Sequence, residues 1–225
     1  MKAFHGDDSI KAKYVMRVRN HEIADEIVKG KYWEGGKGCA VGCTIHSSEH
    51  ADYETELGIP RIIARLEDGI FENLPNELAK TWPRRFLESI KVGADLSRVW
   101  DEMAVWVLRD KKWGVLQFAK TEQTRDAINS VADLYVLKLE GAEVSRKDWI
   151  ESRTAAYAYA ASAAYAYAAA YADVAAYAYA ASAASAAYAA ASAAAAAYAA
   201  AASAKREEWR IAQSEKLIEL LSAAQ

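Results

Sequence analysis

All four histidines of this 225-residue chain (His5, His21, His46 and His50) and both cysteines (Cys39 and Cys43) fall within the first fifty positions. Thiolates and imidazoles are the usual ligands of zinc, and a thiolate is also a nucleophile. Cys39, Cys43, His46 and His50 are spaced four, three and four apart, so in one straight helix they would line a single face. That face would run roughly 16 Å, too far for one tetrahedral ion. A four-ligand zinc site on these residues therefore requires a bend, and Gly42 is placed to supply it. In a second reading, Cys39 or Cys43 is a nucleophile, because the glycine-rich run 31–38 leads into a helix start and His46 lies close by. In a third, both cysteines are small buried apolar residues and the histidines have no role in chemistry.

A shorter pattern overlaps this one. His46-Ser47-Ser48-Glu49-His50 reads H-x-x-E-H, which resembles the inverted zincin motif, in which two histidines one helical turn apart hold zinc. The resemblance implies His46 and His50 as ligands and Glu49 as the general base, with Glu54, Glu56 or Glu67 as a third ligand. Elsewhere the charges look structural. Arg65, Glu67, Asp68 and Glu72 read as a solvated helix face, and Trp82 to Arg85 as a charged turn.

The elements that would position these groups are helical. Asp7 or Asp8 caps a helix running to Lys29 with Ile10, Tyr14 and Val18 inward, and Gly30 ends it. A short helix covers 51–57. Pro60 opens an amphipathic helix with Ile62, Ile63, Leu66 and Ile70 on its apolar face and Arg61, Arg65 and Glu72 outward. Short helices follow at 76–81 and 83–90, then a helix beginning at Asp95. The stretch GVLQFA at 114–119 reads as a lone strand. Thr121 caps a helix to Glu140, with Ile128, Val131 and either Leu134 or Tyr135 inward, and Gly141 closes an N-terminal helical domain, 1–141.

The remainder, 142–225, is of another kind. Ser145 and Asp148 make a capping box. From Thr154 to Ala204 the chain is almost wholly Ala with Tyr and Ser interspersed, and Asp173 is its one charge. Ala loses no side-chain entropy in a helix, so this predicts one rod of roughly 110–120 Å, or a hairpin broken at Asp173. The segment AAYAYAASAA occurs at 155–164 and again at 175–184, and twenty residues rotate a helix by roughly 200°. The tyrosines (Tyr157, Tyr159, Tyr165, Tyr167, Tyr171, Tyr177, Tyr179, Tyr188 and Tyr198) therefore point several ways, which suits a helix packed on more than one side. They are the expected interaction residues, and the expected partner is a second copy of the chain. An amphipathic tail, 205–221, follows, with Trp209, Leu217, Leu220 and Leu221 on one side.

The fold class expected is all-α: an N-terminal helical domain, then a long Ala/Tyr-rich helix or hairpin. A net charge of −3 gives no reason to expect nucleic-acid binding, and the tract lacks the Leu, Ile and Phe of a membrane span. The first residues carry no export signal, so the cytoplasm is the expected location. No cofactor is expected beyond zinc at the residues above. The runs GKGCAVGCTIH and ELGIPRIIARLEDGIFENLP, followed by an alanine-rich region, resemble a group of uncharacterised bacterial and phage-encoded proteins. That resemblance implies a phage or prophage setting and assigns no catalytic residue. The function expected is non-enzymatic self-association, with a zinc-dependent hydrolase or a structural zinc site as the alternative.

Overall fold

A computed structural model of the protein describes residues 1–119, 121–158 and 203–225. Among these, the regular elements are helices and one two-stranded sheet. None of the described helices is long and apolar enough to cross a membrane. Tyr159, Tyr165, Tyr167, Tyr171, Tyr177, Tyr179, Tyr188 and Tyr198 lie outside the described residues, as does the side chain of Tyr157. The choice between rod and hairpin lies outside them too.

The chain divides into two units. The first is Met1–Val99 with Arg210–Gln225, and the second is Trp100–Trp209. The division thus falls at Val99 rather than at Gly141, and the C-terminal stretch belongs to the first unit.

In the first unit, a 3-10 turn at Ala3–Gly6 precedes α1 (Asp8–Ile23), whose N-cap Asp7 accepts from the Ser9 amide at 2.7 Å. Helix α1 ends six residues before Lys29, because Asp25 takes a left-handed turn (φ 54°) and Val28 then bonds to the Gly38 carbonyl at 2.8 Å. The run expected as an irregular glycine-rich loop is a hairpin. Strand β1 (Trp33–Glu34) pairs antiparallel with β2 (Lys37–Gly38) across Gly35 and Gly36, both at positive φ. A two-residue Gly-Gly turn matches the twist of such strands. Helix α2 (Ala40–Ile45) follows, then α3 (Asp52–Leu57) and α4 (Arg61–Asn73).

The buried stripe of α4 is Ile63, Ala64, Glu67, Ile70 and Phe71, rotated from the stripe expected through Ile62 and Leu66. Helix α5 (Asn76–Ser89) is one helix with Pro83 inside it, where two were expected. Proline costs a backbone hydrogen bond, about 3 kcal/mol. Fully buried Trp82, Phe86 and Leu87 beside it offset this, at roughly 1.5–3 kcal/mol each. Helix α1 packs on α5 and α2, and α4 on α2, α3 and α5. Buried Leu217, Leu220 and Leu221 complete this unit, and Gln225 accepts from the Asp95 amide at 2.8 Å.

In the second unit, α6 (Val99–Arg109) begins four residues later than expected. The stretch expected as a strand is a 3-10 turn at Val115–Phe118. Helix α7 (Glu122–Leu139) has Thr121 as its N-cap, accepting from the Thr124 amide at 3.2 Å. Helix α8 (Arg146–Ala158) starts with a reciprocal capping box, the Ser145 amide donating to Asp148 at 2.7 Å and the Asp148 amide to Ser145 at 3.3 Å. Helix α7 packs on α8, with the Tyr135 and Trp149 rings 4.7 Å apart. The last helix, α9 (Ser203–Ala223), begins in this unit, where Trp209 donates to the Trp113 carbonyl at 2.7 Å.

Candidate functional site

The hairpin brings the Cys39 backbone against the chain before β1. The Cys39 amide donates to the Lys31 carbonyl at 2.6 Å and the Tyr32 carbonyl at 3.2 Å. A side chain at Gly38 or Gly42 would collide with the Tyr32 carbonyl. Gly42 therefore allows the loop to approach α2 and supplies no bend. Cys39 is the N-cap of α2 and is 2% exposed.

Opposite it stands α4. Asp68 and Glu72 are four residues apart and so share one helix face. Among the described residues, Cys39, Asp68 and Glu72 gather three donor atoms within 4.8 Å of one another. Both Glu72 oxygens accept from the Gly30 amide at 3.1 Å, which fixes that carboxylate. The His50 Nε2 lies 3.2 Å from Asp68 Oδ2, and the two side chains are 7% and 14% exposed. The Tyr32 and His50 rings meet nearly perpendicular, their centroids 5.6 Å apart. The other Asp68 oxygen, Oδ1, is buried with no hydrogen-bond partner.

The electrostatics of this group are one-sided. Burial, and then the neighbouring Asp68, push the Cys39 thiol far above its ordinary range. Burial raises the Glu72 carboxyl, with the Gly30 amide acting against it. The Tyr32 hydroxyl is raised by burial and by Asp68. These acidic groups are packed where each opposes ionisation of the next. A divalent ion would reverse that balance, since it deprotonates a coordinating thiol outright.

The four expected zinc ligands do not form one set. Cys39 and His50 both lie at Asp68. The Cys43 thiol donates to the Gly38 carbonyl at 3.2 Å, and burial pushes its pKa up to about 12. Helix α2 ends at Ile45 and His46 takes a left-handed conformation (φ 56°), so the one-turn spacing that H-x-x-E-H needs is absent. His46 stacks on Trp33 at 4.2 Å, and its Nε2 lies 2.9 Å from His21 Nε2. Glu26 holds the other nitrogen of His21 at 2.6 Å. Glu49 is exposed and its amide donates to Ser47 at 3.0 Å. Of the suggested third ligands, Glu54 accepts from the Arg61 amide at 3.0 Å and Glu56 accepts from the Tyr14 hydroxyl.

The face expected to be solvated is buried at Glu67 and half-buried at Arg65, Asp68 and Glu72. Glu67 is fully enclosed, accepts from the Tyr53 hydroxyl at 2.6 Å, and leaves Oε1 without a partner. Burial raises its pKa well above the ordinary carboxyl value, with the Tyr53 hydrogen bond acting against it. Sequence reasoning missed Asp68 and Glu72 as site residues. The available signal was their four-residue spacing on the helix that follows the cysteine run. No known protein family, curated protein or solved structure matches the chain.

Proposed function

We propose that the protein is a helical metal-binding protein whose first unit holds one divalent ion of the zinc class on Cys39, Asp68 and Glu72. The observation that carries this reading is the convergence of those three donor atoms within 4.8 Å. One thiolate and two carboxylates suit zinc, and three protein ligands leave a position open for water or a substrate oxygen. An ion there would polarise that oxygen. His50 orients Asp68 through its contact with Oδ2. Both cysteines are free, which fits the reducing cytoplasm.

Titration of the purified full chain with Co(II) tests this. The expected result is one ion per chain with a thiolate-to-cobalt absorption band. Cys39→Ser abolishes the band, while Cys43→Ser and His46→Gln keep it. His50→Gln weakens affinity by about 10–100-fold, the usual cost of losing a group that orients a ligand. Absence of the band in the wild type, or its survival in Cys39→Ser, would sink the reading.

The tract supports a second role, self-association. A run made almost wholly of Ala, Tyr and Ser with one charge over 154–204 would, if helical, need a neighbour to cover its apolar surface. Light scattering on a sizing column should give a mass above the 24.7 kDa of one chain. A monomer that persists at high concentration would count against it. The phage setting implied by the resemblance stays part of this reading.

A further inference from the structure

Arg65 lies one helical turn before Asp68 on the same side of α4, in the electrostatic neighbourhood of Tyr32, Asp68 and Glu49. It is partly buried, and its Nε is buried without a hydrogen-bond partner. Among the described residues its guanidinium makes no hydrogen bond or ion pair. Asp68, three residues on, also carries a buried oxygen without a partner. An Arg and an Asp at this spacing ordinarily pair across one turn of helix, and a buried polar atom left unmatched is unfavourable. Here the two stay apart. Arg61, one turn earlier, is engaged with Glu54 at 3.5 Å, and Lys29, beside Glu72, donates to the Leu74 carbonyl, so Arg65 is the nearby cation without such a partner.

Resting on the metal reading above, we propose that the site takes a phosphate group, with one oxygen on the ion held by Cys39, Asp68 and Glu72 and two on the Arg65 guanidinium. The planar fork of arginine matches paired oxygens of phosphate or carboxylate. Bridging an ion and a two-pronged fork uses three oxygens. A phosphate monoester has three to offer and a carboxylate has two, so the chemistry favours phosphate. The thiolate and two carboxylates leave a bound divalent ion with excess negative charge around it. An anion therefore enters only where a cation such as Arg65 compensates.

The test uses the full chain, inorganic phosphate and acetate as probes, and two readouts: the Co(II) absorption spectrum and calorimetric titration of the metal-free protein. The expected result is a saturable shift of the cobalt spectrum by phosphate, with acetate much weaker. Arg65→Gln should retain Co(II) binding and weaken phosphate by roughly tenfold to a hundredfold, the range for losing a charged hydrogen bond. Arg65→Lys, which keeps the charge but not the fork, should fall between. Retained Co(II) binding reports that the variants are folded. A wild-type spectrum that ignores phosphate, equal effects of acetate and phosphate, or undiminished phosphate binding in Arg65→Gln would each overturn the proposal. If the wild type binds no Co(II), the metal reading fails separately. Calorimetric phosphate binding lost in Arg65→Gln would then support the Arg65 site, and its absence would overturn that as well.

Discussion

Glu67 and Asp68 are neighbours in sequence with opposite environments. Glu67 faces the core, burial holds its carboxyl well above the ordinary range, and that carboxyl has one hydrogen bond, from Tyr53. Tyr53→Phe leaves that carboxyl with no donor and should destabilise the fold by about 1–3 kcal/mol in denaturant unfolding. Glu67→Gln preserves an acceptor for Tyr53 and should cost less. Equal effects of the two changes would contradict the assignment. The carboxylates that matter most were thus misread as solvated, because charge in a sequence says nothing about which way a helix is rotated. Ile63, Ile70 and the buried Glu67 set that rotation, and the cost of burying Glu67 is met by Tyr53, a residue fourteen positions away.

At the scale of elements, the hairpin and α2 depend on glycine for contact more than for flexibility. Gly42→Ala would place a methyl group into the Tyr32 carbonyl. It should destabilise the protein by roughly 1–3 kcal/mol and weaken Co(II) binding. A variant as stable as the wild type would show that the loop does not rest on α2. The end of α2 is tied to α1 by the His46–His21 bond and to the hairpin by Trp33. Burial first, then Arg17 and His21, lower the pKa of His46 from its ordinary 6.5, with Glu56 and Glu26 opposing. The unfolded chain therefore takes up the proton before the folded one does. Stability from this group is full above pH 6.5 and falls as pH drops through the lowered value. Melting temperature measured across pH 7 to 5 should decline, and His46→Gln should flatten the decline. An unchanged slope would sink this account.

For the whole molecule, the C-terminal stretch is part of the first unit. Arg85 and Glu215 pair at 2.8 Å, and Leu217, Leu220 and Leu221 are buried. Deleting 210–225 should lower the melting temperature and weaken Co(II) binding. Retention of both would mean that Met1–Val99 folds unaided. The amphipathic pattern of the tail was legible in the sequence, since apolar spacing along a helix is local. Its return to the first unit was not, because it depends on contacts between residues over a hundred positions apart.

The sequence by itself determined the helical class, the caps at Thr121 and Ser145 and one at Asp7 or Asp8, and the concentration of thiol and imidazole groups in the first fifty residues. Each follows from side chains a few positions apart, where propensity, capping and spacing act. Tertiary structure alone decided which of those groups meet. It sent His46 to His21, His50 to Asp68, and Cys39 to two carboxylates on another helix. That choice rests on the hairpin at Gly35–Gly36, which its Gly-Gly turn favours locally, and on the close approach allowed by Gly42 and the rotation of α4, which are packing outcomes no local pattern encodes.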